Sequence, residues 1–256
     1  MTLSRKLCYI IPNAATMSSL VLGIAAIMLL NDQHFLTAAI FILVGAILDV
    51  MDGQLAARLN AMTDIGKQLD SLADMVTFGV APTMLVYHLM LLVGVMQPIA
   101  IASSLTFAMA GAFRLARFNT LPSNRSAYFI GMPIPLASLI LITGSFWRYW
   151  TLNIWWAAIV VVVSYLMISP FPYPKLKHVL AAPLLLWLAV LIYALGCWFA
   201  VGWEAVPFSL LLIYAISGPL FAYTEPAQKL MERTSDDYGA GRPDCVAQKC
   251  APLWWD

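Results

Sequence analysis

Residues 35–74 read FLTAAIFILVGAILDVMDGQLAARLNAMTDIGKQLDSLAD. The first part, Phe35–Ala57, is long and apolar enough to cross a bilayer, which needs about 20 such residues. Yet it carries Asp49 and Asp52, and the apolar run that starts at Leu69 carries Asp70 and Asp74. An ionised Asp at the centre of a membrane helix costs about 2.5–3.5 kcal/mol on insertion scales, so such residues face a bundle interior or a wet cavity. Bland packing would tolerate one acid paired with a Lys or Arg. Here there are four, and neither apolar run supplies a cation.

The rest of the 256-residue chain agrees with this membrane reading. Its composition is 62% apolar and only 11% charged. Soluble domains run near 45–50% and about 25%, and a globule of this size could not hide so much hydrocarbon. A soluble enzyme and a disordered chain are excluded. The net charge of +1 provides no basic field for nucleic acid. Hydropathy predicts an all-α polytopic membrane protein with about eight spans, at roughly 12–30, 35–57, 69–96, 99–118, 133–150, 154–169, 180–201 and 207–223. The first span reads as a retained helix, because no clear small-residue cleavage site marks it as a signal peptide. Residues 1–223 form the membrane domain, and the polar residues 224–256 form a cytoplasmic tail.

Lys and Arg set the orientation. Thirteen of the fourteen fall at the N-terminus, at or after the ends of spans two, four and six, or in the tail; Arg148 alone lies opposite. Both termini are therefore expected in the cytoplasm, with the protein in the cytoplasmic (inner) membrane. Trp147, Trp150, Trp155 and Trp156 cluster at one turnaround and read as an interfacial belt. The four cysteines and three histidines form no metal-ligand spacing.

At 100° per residue, Asp49, Asp52, Gly53 and Ala56 share about a 100° arc of one helix, and Gly66, Asp70 and Asp74 share about 80° of the next. Two carboxylate pairs can thus face each other across a short hairpin near the cytoplasmic leaflet. Hard oxygen donors without His or Cys suit Mg²⁺ or Mn²⁺, and four carboxylates suit two ions. Paired metals suit phosphoryl chemistry. Gly53, Ala56 and Gly66 are expected to keep the face open to a bulky phosphate ligand.

These residues carry a resemblance. Asp49-x2-Asp52-Gly53-x2-Ala56 followed by Gly66-x3-Asp70-x3-Asp74 resembles the signature of the CDP-alcohol phosphotransferases, and within them the bacterial CDP-diacylglycerol–serine O-phosphatidyltransferases. DSLADMVTFGVAP (70–82), RLARFN (114–119), GMPIP (131–135) and Pro12-Asn13-x2-Thr16 extend the likeness over about residues 12–223. The resemblance implies transfer of a phosphatidyl group from CDP-diacylglycerol to L-serine, giving phosphatidylserine and CMP, in a homodimer among membrane lipids. It implies metal binding by Asp49, Asp52, Asp70 and Asp74, and nucleotide binding by Asp52, Gly53, Ala56, Gly66 and Asp70. Asp74 becomes the base. Arg114 and Arg117, i/i+3 on one face, suit the lipid phosphate or the serine carboxylate. The family pattern has Arg where this chain has Ala57; Arg58 follows and is a candidate substitute. Its direction is about 170° from the carboxylate face if the helix continues, so a weakened grip on the nucleotide is expected. Other acceptors (glycerol 3-phosphate, an inositol phosphate, choline) belong to the same chemistry. A metal-ion transporter is the competing class, but spans four to eight supply no acid for a transport path.

Overall fold

A computed structural model describes residues 3–59, 63–120, 128–146, 155–174 and 205–222. The described elements are α1 (Leu3–Asn31), α2 (Phe35–Arg58), α3 (Asp64–Asp74), a π-helical turn (Met75–Val80), α4 (Ala81–Leu92), α5 (Gln97–Thr120), β1 (Tyr128–Ile130), α6 (Ile134–Ser145), α7 (Trp155–Ile168), β2 (Pro172–Pro174) and α8 (Ala205–Ala222). Four helical stretches are long and apolar enough to span a membrane: Ile10–Asn31, Phe35–Arg58, Asp64–Leu92 and Gln97–Thr120. Ile134–Ser145, Trp155–Ile168 and Ala205–Pro219 are shorter apolar helices. Each expected span therefore coincides with a helix except 180–201, which lies outside the described residues, as does the tail. The chain is an all-α membrane protein. Among the described residues the one departure is a pair of three-residue antiparallel strands, with Phe129 opposite Tyr173, which hydropathy does not foresee.

The third span is one continuous helical path whose middle is widened. In the π turn, the Ala81 N–H reaches back five residues to Val76 O. Pro82 supplies a reason. It has no N–H to give, and its ring would crowd the carbonyl four residues earlier in a regular helix. Widening the turn relieves that crowding. The Thr83 hydroxyl then donates to Gly79 O at 2.7 Å, providing a partner for one carbonyl of the widened turn.

Small residues let this turn approach its neighbours. A Cβ on Gly23 of α1 would stand 2.6 Å from Thr77 Oγ1, and one on Gly45 of α2 would stand 2.8 Å from Thr77 Cγ2. The outer surface is apolar: Met28, Ile47, Val50, Leu105 and Met109 are all exposed. Lipid solvates these faces, which accounts for a composition no soluble globule could carry.

Trp156 corrects the aromatic-belt expectation. It is 1% exposed, packed beside Phe208 with ring centroids 5.9 Å apart. A Cβ on Gly144 would sit 2.2 Å from its ring. Trp156 is a core residue that locks α6, α7 and α8, whereas Trp155 is exposed as the belt reading requires. Trp147 and Trp150 lie outside the described residues.

Candidate active site

Asp49 and Asp52 come from the end of α2 nearest its C-terminus, and Asp70 and Asp74 from α3. The chain must turn sharply to set these segments side by side. Thr63 starts α3 as its N-cap, its hydroxyl accepting from Gly66 N at 3.0 Å, and Asp64 stands in the first turn, where the helix dipole favours an acid. Asp49, Asp70 and Asp74 each contribute a carboxylate oxygen to a group lying within 4.8 Å of one another. Asp49 is within hydrogen-bonding reach of both Asp70 and Asp74.

Asp52 behaves differently from the other three. It is buried at 4% exposure, and the Thr16 hydroxyl of α1 donates to its Oδ2 at 2.6 Å. It remains an electrostatic neighbour of Asp49 and Asp70. The two expected pairs are thus three converging carboxylates plus a fourth turned toward α1. Thr16 was visible in the sequence as part of the Pro12-Asn13-x2-Thr16 motif. Its role as Asp52's partner was not, because only the packing of α1 on α2 brings them together.

Carboxylates this close repel one another when ionised, and a cation between them would relieve that repulsion. The donor set is hard oxygen, with no thiolate or imidazole, and it fits a divalent ion of the magnesium or manganese kind. The cluster can hold such an ion through Asp49, Asp70 and Asp74.

The glycines divide. Nothing lies within 4 Å of a Cβ built on Gly53, so that position is open, as expected. Gly66 is not: its Cβ would meet Thr63 Oγ1 at 3.0 Å and Asn13 Oδ1 at 3.2 Å. It serves the close approach of α1 to the start of α3. Ala56 is partly buried and Ala57 exposed. α2 stays helical through Arg58, which is exposed. The continuing helix therefore keeps Arg58 on the face away from the carboxylates.

The two arginines of α5 also divide. Arg114 is buried at 7% exposure, with Asp74 and Tyr214 of α8 as electrostatic neighbours. Its Nε is buried without a hydrogen-bond partner. Arg117 instead donates to main-chain carbonyls: Nη1 to Ile168 O at 2.8 Å, and Nη2 to Ile130 O at 3.1 Å and Met167 O at 3.4 Å. The guanidinium fits beside Gly131, whose φ of +75° and missing Cβ make room for it; a Cβ there would be 2.7 Å from Nη2. A second link joins the site helices, since Asn119 Nδ2 donates to Ser71 Oγ at 2.9 Å. Ser71 is next to Asp70 in the chain, and nothing in its spacing pointed to α5.

In this helical membrane bundle, converging carboxylates that could hold a cation stand beside a buried arginine whose Nε has no hydrogen-bond partner. The chain belongs to the CDP-alcohol phosphatidyltransferase family, whose model matches residues 9–165. Among curated proteins it is 40% identical over 168 residues to a CDP-diacylglycerol–serine O-phosphatidyltransferase of Bacillus subtilis, covering 65% of this chain and 91% of that one. It is 34% identical over 179 residues to the protein of that name from Helicobacter pylori, covering 67% and 74%. A third, from Methanocaldococcus jannaschii, is 32% identical over 209 residues, covering 81% and 92%.

Proposed function

We propose that this protein is a CDP-diacylglycerol–serine O-phosphatidyltransferase of the cytoplasmic membrane, with both termini and the active site on the cytoplasmic side. The reaction replaces CMP by L-serine on the phosphatidyl group. The observation that carries the reading is the meeting of Asp49, Asp70 and Asp74 within 4.8 Å, inside the segment matched by the family. The names of the relatives favour serine over glycerol 3-phosphate, an inositol phosphate or choline as acceptor.

Asp49, Asp70 and Asp74 would hold Mg²⁺ or Mn²⁺, and a second ion would have to use the other oxygen of Asp52, whose Oδ2 accepts from Thr16. Bound metal would neutralise charge on the phosphoryl oxygens and on departing CMP. Asp52, Gly53, Ala56 and Asp70 receive the cytidine diphosphate part, with the open surface at Gly53 admitting it, while Gly66 contributes by letting α1 close against the start of α3. Arg114 holds the lipid phosphate or the serine carboxylate, since a buried guanidinium with an unused Nε is suited to a charge-assisted bond. Arg117 keeps the neighbouring backbone in place. Asp74 takes the proton of the serine hydroxyl. The serine oxygen forms a bond to the phosphatidyl phosphorus, and the bond from that phosphorus to the CMP oxygen breaks, the electron pair leaving with CMP.

Purified protein given CDP-diacylglycerol, Mn²⁺ or Mg²⁺ and a panel of alcohols should release CMP with L-serine. Release with a different alcohol would keep the chemistry and change the acceptor. No CMP with any alcohol would end the enzyme reading and leave the alternative, a carboxylate-lined metal-ion transporter.

A further inference from the structure

One helical turn beneath the carboxylates, the same three segments meet again. Thr77 follows Asp74 by three residues, Ser19 follows Thr16 by three, and Gly45 precedes Asp49 by four. Each step is about one turn, or roughly 5 Å along its helix. At this level Thr77 Oγ1 donates to Ser19 O at 3.1 Å, and Ser19 Oγ donates to Gly45 O at 3.1 Å. Thr77 is fully buried and Ser19 is 2% exposed. The Thr77 methyl fills the space over Gly45, and its hydroxyl and Cα lie against Gly23. Thus α1, α2 and the π turn are tied by two hydroxyls and spaced by two glycines. In hydrocarbon such bonds have no water to compete with them.

We propose that Thr77 is a positioning residue for the metal site: it sets the spacing of the π turn against α1 and α2, and so brings Asp70 and Asp74 up to Asp49. The π turn makes this control local. Asp74 is the last residue of α3 and the turn begins at Met75, so the anchor at Thr77 acts within one turn of the carboxylate it places. Groups that position metal ligands commonly change metal affinity by about 10–100-fold when removed. The proposal rests on the carboxylate cluster binding a divalent ion, and its first measurement needs no turnover.

The test is Mn²⁺ affinity of the purified full-length protein, measured by calorimetry without substrate, together with thermal unfolding. Thr77→Val keeps the shape and removes the hydroxyl. Gly45→Ala drives a methyl against Thr77 Cγ2, and Thr77→Ser removes that atom while keeping the hydroxyl. Thr77→Val and Gly45→Ala should each weaken Mn²⁺ binding about tenfold or more, and Thr77→Ser combined with Gly45→Ala should restore most of it. In CMP release, kcat should follow the metal affinity while KM for CDP-diacylglycerol changes little. Folded Thr77→Val that binds Mn²⁺ as wild type does would overturn the proposal. If Thr77→Val fails to fold, absence of rescue in the Ser/Ala pair overturns it equally. Wild-type protein that binds Mn²⁺ but releases no CMP would defeat the transferase reading and leave the positioning role standing.

Discussion

Asp74 has the carboxylates Asp49 and Asp70 and the Arg114 guanidinium as electrostatic neighbours, and as the proposed base its substitution is expected to cost chemistry more than binding. Asp74→Asn should still bind the CDP-lipid while turnover falls about 10²–10⁴-fold, the range for loss of a general base. CMP release near the wild-type rate would remove Asp74 from the role. Thr16→Val removes the donor that holds Asp52. A hydrogen bond to a charged group is worth about 1.5–3 kcal/mol, so KM for the CDP-lipid should rise, with a smaller change in kcat. The four aspartates were legible because acids are conspicuous in apolar runs. Their division into three plus one was not, since it depends on a hydroxyl from a helix 36 positions away. The Ala57 departure was also legible. With α2 helical to its end, the Arg58 position faces away from the carboxylates, and on the proposed reading Ala57→Arg should tighten CDP-lipid binding. An affinity unchanged by that substitution would show that this chain grips the nucleotide by other means.

At the scale of elements, Arg117 acts as a staple between α5, the β1 end and the α7 end. Arg117→Ala leaves carbonyls of Ile130, Met167 and Ile168 short of a donor, at about 1–3 kcal/mol for each that stays buried and unsatisfied. Loss of thermal stability should therefore exceed any change in KM. The opposite pattern would move Arg117 to the ligand. Its i/i+3 spacing from Arg114 is plain in the sequence, but spacing carries no information about which carbonyls a strand and a helix end bring to Arg117. The π turn was equally hidden. Hydropathy averages over whole turns and passes smoothly across residues 69–96, although Pro82 marks the place in hindsight. Trp156 was misassigned because tryptophans near a turnaround usually meet the interface; Gly144 opens the slot that buries this one. Trp156→Ala should cost about 3–5 kcal/mol, as large core truncations do, read as a lowered unfolding temperature.

For the molecule as a whole, the distribution of Lys and Arg predicts orientation more directly than helix geometry can. Single cysteines placed at Arg58 and at Asp32, in a background without the native cysteines, should differ in reactivity with an impermeant thiol reagent in intact cells. The Asp32 site should label from outside and the Arg58 site only after lysis; the reverse pattern would invert the topology. A homodimer is proposed on the family likeness, and crosslinking in native membranes would test it. The scarcity of charge that first marked a membrane chain follows from the fold, in which broad apolar faces meet lipid and a few ionised groups meet one another.

Asp49 lies nine residues before Arg58, and Asp74 ten residues after Asp64. At 1.5 Å per residue, the reaction centre is about 14–15 Å inward from both of those helix ends. On the proposed reaction, CDP-diacylglycerol would approach it sideways within its leaflet. Serine has to descend from water, and the proton it gives up has to climb back out. On that reading the two substrates would arrive at right angles, one moving in two dimensions and the other in three. Turnover should respond to the lipid's mole fraction in the membrane and to the acceptor's concentration in bulk water.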